Sequence, residues 1–204
     1  MARRPLAGSL AAIALAAAAA GAPAGAAPAA SGSLAGRVMS PGELRIPGYQ
    51  AQGPVTEAGI AFFRGDSCAP RLRRTIQQFR AQGFQRLARR FFQSQSGGAD
   101  SIVLRFATAA GARRAMADAL AQPISCADSR YRNAGALAVP GVPGARGVLR
   151  TVRSAGPPGR GAMVVLARGR LLYQTGIEQY DAGAANPGPL LAAAALRWLG
   201  RVAP

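Results

Sequence analysis

The 204-residue chain carries 25 basic residues against 8 acidic ones, a formal net charge of +17, with no histidine and two cysteines. Every basic residue is arginine, which excludes Schiff-base lysines and a P-loop lysine. The missing histidine removes Ser-His-Asp and Cys-His triads, HExxH zinc sites and c-type haem attachment. A composition rich in Ala, Gly, Arg and Pro, as GC-rich genomes encode, accounts for Arg in place of Lys. It does not account for the excess of bases over acids.

The amino terminus has the three parts of a secretory leader. Arg3 and Arg4 lie in an acid-free start, Leu10 to Ala20 is an apolar run, and the following residues are small, with A-x-A triplets between Ala22 and Ala29. Residues 1–29 are therefore expected to be a signal peptide, cut within about 24–30. The apolar run is shorter than the ~20 residues of a span, so no stable membrane span is expected after cleavage; retention as an anchor is the alternative. No cysteine lies near the cleavage region, which disfavours a lipid anchor. Loss of Arg3 and Arg4 leaves +15 on the mature chain. The expected location is secreted or extracytoplasmic, where disulfides persist. Cys68 and Cys126 then form the one possible intrachain bridge, worth roughly 4 to 5 kcal/mol by loop entropy, with two buried thiols as the alternative.

Residues 30–54 contain Gly and Pro every few positions and read as an extended lead-in. A single domain is expected over 55–204. Ile60 to Phe63 is a short strand or helix turn. Leu72, Ile76 and Phe79 recur at helical spacing, giving a helix from about Ala69 to Gln82 that Gly83 ends. Phe84 to Gln93 and Ser101 to Ala107 form a hairpin around Gln95-Ser96-Gly97-Gly98. Thr108 caps a helix over Ala109 to Ala121 that Pro123 stops. Ile124 to Asn133 reads as a loop and Ala136 to Val139 as a short strand. Strands follow over Arg146 to Arg153, Ala162 to Ala167 and Leu171 to Ile177, the last two joined by Arg168-Gly169-Arg170. A helix over Leu190 to Leu199 ends the chain. The fold class is α+β: an antiparallel sheet of hairpins with helices packed on one face, with a trace of two repeated hairpin-helix units.

Three stretches carry a family resemblance: Ser101 to Leu120, a strand leading into an Ala-rich helix; the Val139 to Arg146 connector with its PG-PGA turn; and the Val164 to Thr175 hairpin. In these the chain resembles uncharacterised secreted and lipoprotein-like envelope proteins of high-GC Gram-positive bacteria. The resemblance implies an envelope location and an α+β sandwich, and transfers no catalytic residues.

Glu178 and Asp181 are the nearest approach to a carboxylate pair and read as part of a solvated loop after the last strand. The glycine-rich stretch from Gly156 to Gly161 reads as a hairpin loop. Arginines are the informative residues: Arg64, Arg71, Arg73, Arg74, Arg80, Arg86, Arg89 and Arg90 lie in a stretch whose sole acid is Asp66. Such a ridge suits polyanions, and Arg71, Arg73, Arg74, Arg80, Arg86, Arg89 and Arg90 are the candidate contacts. Export argues against nucleic acid. The expected function is a cell-envelope binding protein that contacts anionic polymers or lipid headgroups. The alternative is a carrier of a small hydrophobic ligand or lipid, with Phe62, Phe91, Tyr173 and Trp198 lining a pocket. An enzyme using carboxylates and arginine alone is a third reading. No cofactor and no metal are expected.

Overall fold

The computed structural model describes residues 33–60, 76–121, 129–154, 158–180 and 186–203. The chain divides into two units, Met1–Gly32 and Ser33–Pro204. The expected leader lies outside the described residues, as do Cys68 and Cys126, most of Ile60 to Phe63, and Asp181.

Period-two alternation builds the sheet. Along Ala162-Met163-Val164-Val165-Leu166, the first, third and fifth side chains join one buried cluster, the second and fourth another. Eight strands form one antiparallel sheet: β1 (Gln50–Ala51), β2 (Thr56–Ala58), β3 (Phe84–Ser94), β4 (Gly97–Phe106), β5 (Ser129–Leu137), β6 (Arg146–Ser154), β7 (Gly159–Arg168) and β8 (Leu171–Gln179). Their order is β1-β3-β4-β8-β7-β6-β5, with β2 also pairing with β3. Gly169, at φ 56°, turns β7 into β8 as its spacing predicts.

Among the described residues, besides a 3₁₀ turn, Ala35–Arg37, four helical segments pack on this sheet: α1 (Pro41–Leu44), α2 over 76–81, α3 (Ala109–Ala121) and α4 (Gly188–Val202). The expected α+β architecture is what the chain forms. Its helices serve both sheet faces rather than one. On the first face, Leu191, Trp198 and Leu199 of α4 pack on Ala88, Phe92, Val103, Val164 and Tyr173. On the second, Ala112 and Ala115 of α3 pack with Leu87, Leu104, Phe106, Met163 and Leu172. Phe79 of α2 joins this face, stacked on Phe84 at 5.6 Å and edge-on to Phe106 at 6.1 Å. The two hairpin-helix units, β3-β4-α3 and β7-β8-α4, therefore send their helices to opposite faces.

Three expected elements take a different form. The lead-in contributes Leu34, Val38, Met39, Leu44 and Ile46 to the first core. Arginines fasten it there: Arg90 donates to the Met39 carbonyl at 3.0 Å, Arg197 to those of Glu43 and Leu44, and Arg201 to those of Gly36 and Val38. The loop and short strand expected over 124–139 include a nine-residue strand, β5, bulged between Asn133 and Gly135. It is an edge strand whose polar residues mask the apolar alternation. Gly159 and Gly161, expected in a loop, are ladder residues of β7. Among the described residues no helix is long and apolar enough to cross a membrane.

Candidate functional site

On the second face, the sheet runs past α3 to an end where the described side chains are largely polar. The cross-strand row there reads Asn133, Arg150, Gly161, Glu178, Gly98, Gln93. Glu178 is a residue of β8, not of a solvated loop. It has glycine as its partner on both neighbouring strands, so no side chain rises from the sheet directly beside its carboxylate.

Two tyrosines hold that carboxylate. Tyr131 from β5 and Tyr180, just past β8, both donate to Glu178 Oε2, at 3.0 and 2.7 Å. Burial is the largest influence on Glu178 and raises its carboxyl above the ordinary value; the hydroxyls of Tyr180 and Tyr131 oppose the rise without cancelling it. Burial and the facing Glu178 push both phenols far above their usual range, so they stay O–H donors. Tyr49 completes the surround from the backbone side, donating to the Glu178 carbonyl at 3.0 Å.

Asp100 lies on the same face one step diagonally away, because it pairs with Gly176 while Glu178 pairs with Gly98. Arg89 donates to Asp100 Oδ2 at 3.1 Å and its guanidinium lies 5.5 Å from the centre of the Phe91 ring. Phe91 is 37% exposed and its ring covers Gly98. Arg150 donates to the Ala119 carbonyl and Asn133 to that of Leu120, so the two side chains cap the C-terminus of α3. Among the described residues no three His, Cys, Asp or Glu side chains group as metal ligands.

At the opposite end of the sheet, on the first face, four arginines and one glutamate gather among the described residues. Arg86 and Arg105 are direct cross-strand partners in β3 and β4. Arg170 precedes β8 and accepts from the Phe106 amide through its carbonyl. Arg37 comes in from the 3₁₀ turn, donating to Tyr173 Oη at 3.1 Å and the Val202 carbonyl at 3.2 Å. Burial first, then the charges of Arg86, Arg37 and Arg170, lower the Arg105 guanidinium from its ordinary value, with Glu57 opposing. Glu57 is already engaged, accepting from Ser33 Oγ and the Ala35 amide at 2.7 Å each; those bonds and the Arg86 charge lower its carboxyl.

Of the seven arginines expected to form a ridge, the four among the described residues are distributed over the fold. Arg71, Arg73 and Arg74 lie outside the described residues, and Arg80 is exposed on α2. Arg89 is paired with Asp100 on the second face, and Arg90 is a fastener of the lead-in on the first. Of the four candidates among the described residues, Arg86 alone falls in the arginine corner; Arg37, Arg105 and Arg170 join it from elsewhere in the chain, a convergence set by register. Of the four expected pocket residues, Tyr173 and Trp198 pack edge to face at 5.8 Å in the first core. Phe91 is at the surface of the other face and Phe62 lies outside the described residues.

No protein-family model matches the sequence, and no curated protein matches it. Among solved structures, the chain is similar to the extracellular domain of PknH from Mycobacterium tuberculosis, with a TM-score of 0.54 and 14% identity over 81% of this chain and 94% of that one. A second structure, an uncharacterized protein of Mycobacterium smegmatis (Rv0999 ortholog), aligns with a TM-score of 0.38 and 10% identity over 74% and 90%. Mycobacterium tuberculosis, the source of the PknH domain, is a high-GC Gram-positive bacterium. At this identity the likeness to the PknH domain is one of fold: this chain folds as that extracellular domain does.

Proposed function

We propose that the chain is an extracytoplasmic binding protein of the cell envelope that contacts anionic polymers through the arginine corner formed by Arg37, Arg86, Arg105 and Arg170. The observation that carries this reading is the register that sets Arg86 directly opposite Arg105. Like charges facing each other across strands destabilise a sheet by a few tenths of a kcal/mol or more. A phosphate or carboxylate bridging the two guanidiniums reverses the sign of that interaction and meets a geometry arginine recognises well. The leader-like amino terminus and the fold shared with an extracellular domain support the location.

The reading is of binding rather than catalysis and rests on the residue inventory. The carrier alternative has less support, because Tyr173 and Trp198 are spent on packing each other. Among the described residues, a depression beside Leu149, Thr151, Arg160 and Asn186 has a volume of about 150 Å³, below the ~300 Å³ at which small-molecule pockets begin.

The test is the salt dependence of binding to soluble polyphosphate and, separately, to phosphatidylglycerol vesicles. Polyphosphate binding that falls steeply with salt and is lost in Arg86→Glu/Arg105→Glu is the expected result. Binding to vesicles alone would assign the corner to lipid headgroups, and binding indifferent to salt would remove the electrostatic basis of the proposal.

A further inference from the structure

The depression beside Leu149, Thr151, Arg160 and Asn186 lies on the first face, where the cover supplied by α4 stops. Gly188, the first residue of that helix, sits against Leu137 and Leu149. Beyond it the surface of β5, β6 and β7 is open, with a volume of about 150 Å³. At ~30 Å³ for each water, that is room for about five. One phosphate group has five heavy atoms.

Register gathers arginines around Thr151. Arg132 is its partner on β5 and Arg160 its partner on β7. Arg153 lies two residues further along β6 and so on the same face. All four residues are exposed. Among the described residues none of these three guanidiniums has a hydrogen-bond or ion-pair partner, unlike Arg89, Arg90 and Arg150. The three strands contain no acid, and neither does the first turn of α4. Asn186 accepts from the Gly188 amide through Oδ1 at 2.9 Å, which leaves its side-chain N–H groups and the Thr151 hydroxyl as donors.

The arrangement selects among anions. Arg132 and Arg160 are two strand spacings apart, ~10 Å, so a small anion seated between them draws N–H groups from both. A planar carboxylate is satisfied by the fork of a single guanidinium. A tetrahedral oxyanion with two charges presents oxygens in several directions and answers three separated guanidiniums and a hydroxyl at once.

We infer that Arg132, Arg153 and Arg160, with Thr151 at their centre, form a subsite for one phosphate group, free or at the end of an ester, seated in the depression beside Asn186. The subsite shares no residue with the arginine corner, which lies at the other end of the strands, so one can fail while the other stands. Its millimolar hold on a single group is too weak to retain a polymer once the corner is lost.

The experiment follows the amides of Thr151, Arg160 and Asn186 in the ¹⁵N-labelled protein during titration with inorganic phosphate and with phenyl phosphate, ionic strength being held constant with sodium chloride. Progressive shifts at millimolar concentration are expected. Arg132→Gln/Arg160→Gln should weaken the binding at least tenfold, while Arg86→Glu/Arg105→Glu leaves it unchanged. Dispersion of the remaining amides reports that each variant is folded. A response to inorganic phosphate alone assigns the subsite to the free ion, and a response to phenyl phosphate, alone or as well, assigns it to an ester; either bears the inference out. Absence of shifts at tens of millimolar of both overturns it. So does an equal response to sodium acetate, which would make this a basic surface without selection. Phosphate shifts that survive Arg132→Gln/Arg160→Gln would place the ion elsewhere and overturn the assignment equally.

Discussion

The two ends of the sheet handle charge in opposite ways. At the Glu178 end, carboxylates, guanidiniums and phenols alternate, and each carboxylate has at least one donor fixed on it. At the arginine corner, four like charges meet around one glutamate that is already committed to Ser33 and Ala35. A formal charge of +17 is therefore a poor guide to where anions bind. Several arginines in that total are internal fasteners: Arg90, Arg197 and Arg201 hold the lead-in, and Arg168 donates to the Ala203 carbonyl. What marks the corner among the described residues is four arginines around a single glutamate.

The comparison breaks most severely if the strands at the Glu178 end are forced apart. A Cβ on Gly97 would overlap the Glu178 carbonyl oxygen, so Gly97→Ala must force β4 and β8 apart. We expect a loss of about 3 kcal/mol in urea unfolding; a loss under about 1 kcal/mol would show that this end is looser than the register implies.

Removing a donor tests the polar end more gently. Tyr131→Phe leaves Glu178 with one hydroxyl and should cost about 1–2 kcal/mol at neutral pH. That cost should shrink in acid, where a protonated Glu178 needs less from its donors. A pH-independent cost would mean that the ring, not the hydroxyl, matters.

The carboxylates should also differ in sign with pH. Glu178 is raised in the folded state, so its contribution is fully present below its unfolded value of about 4.3 and is lost as pH rises through the folded value. Glu178→Gln should therefore gain stability relative to the parent as pH increases. Glu43 is the counter-case. Burial acts to raise its carboxyl, but hydrogen bonds from Arg201 and Ser40 outweigh that and hold it low. Its contribution is present above about 4.3 and lost as pH falls through the folded value, so Glu43→Gln should be destabilising at neutral pH and silent in strong acid. Urea midpoints across the acid range check both; parallel profiles for the two variants would contradict the contrast.

The smallest effect is expected at the corner itself. Arg105→Glu replaces a like-charge pair by an attractive one and should raise stability by a few tenths of a kcal/mol. A loss of stability instead would mean that Arg105 supports the fold.

Much of the frame was legible in the sequence, and the reasons for the rest are physical. The ends of α3 follow from Thr108, whose Oγ1 accepts from the Gly111 amide at 3.0 Å, and from Pro123 close behind. The β7–β8 turn follows from Gly169. The core role of Leu34 to Ile46 was hidden because Gly and Pro interrupt any period there, and several of its backbone carbonyls are satisfied by arginines distant in the chain. Glu178 reads as a loop residue because apolar alternation stops at Ile177, while the ladder continues to Gln179 through glycines that carry no hydrophobic signal. A period-two reading of Glu178 and Tyr180 would have extended the strand; the approach of Tyr131 belongs to sheet order alone. The arginine corner has the same cause, since Arg37, Arg86, Arg105 and Arg170 are far apart in the chain and meet only through register and topology.

The most direct test of the account uses charge-matched variants. Arg113 and Arg114 are exposed on α3, so Arg113→Glu/Arg114→Glu changes the net charge as much as Arg86→Glu/Arg105→Glu does. Polyphosphate binding is measured for both against the parent at several salt concentrations. The account predicts that the corner variant loses binding and flattens the salt dependence, while the α3 variant stays close to the parent. Equal losses in the two variants would show that net charge alone attracts the polymer, and would contradict a site at the corner.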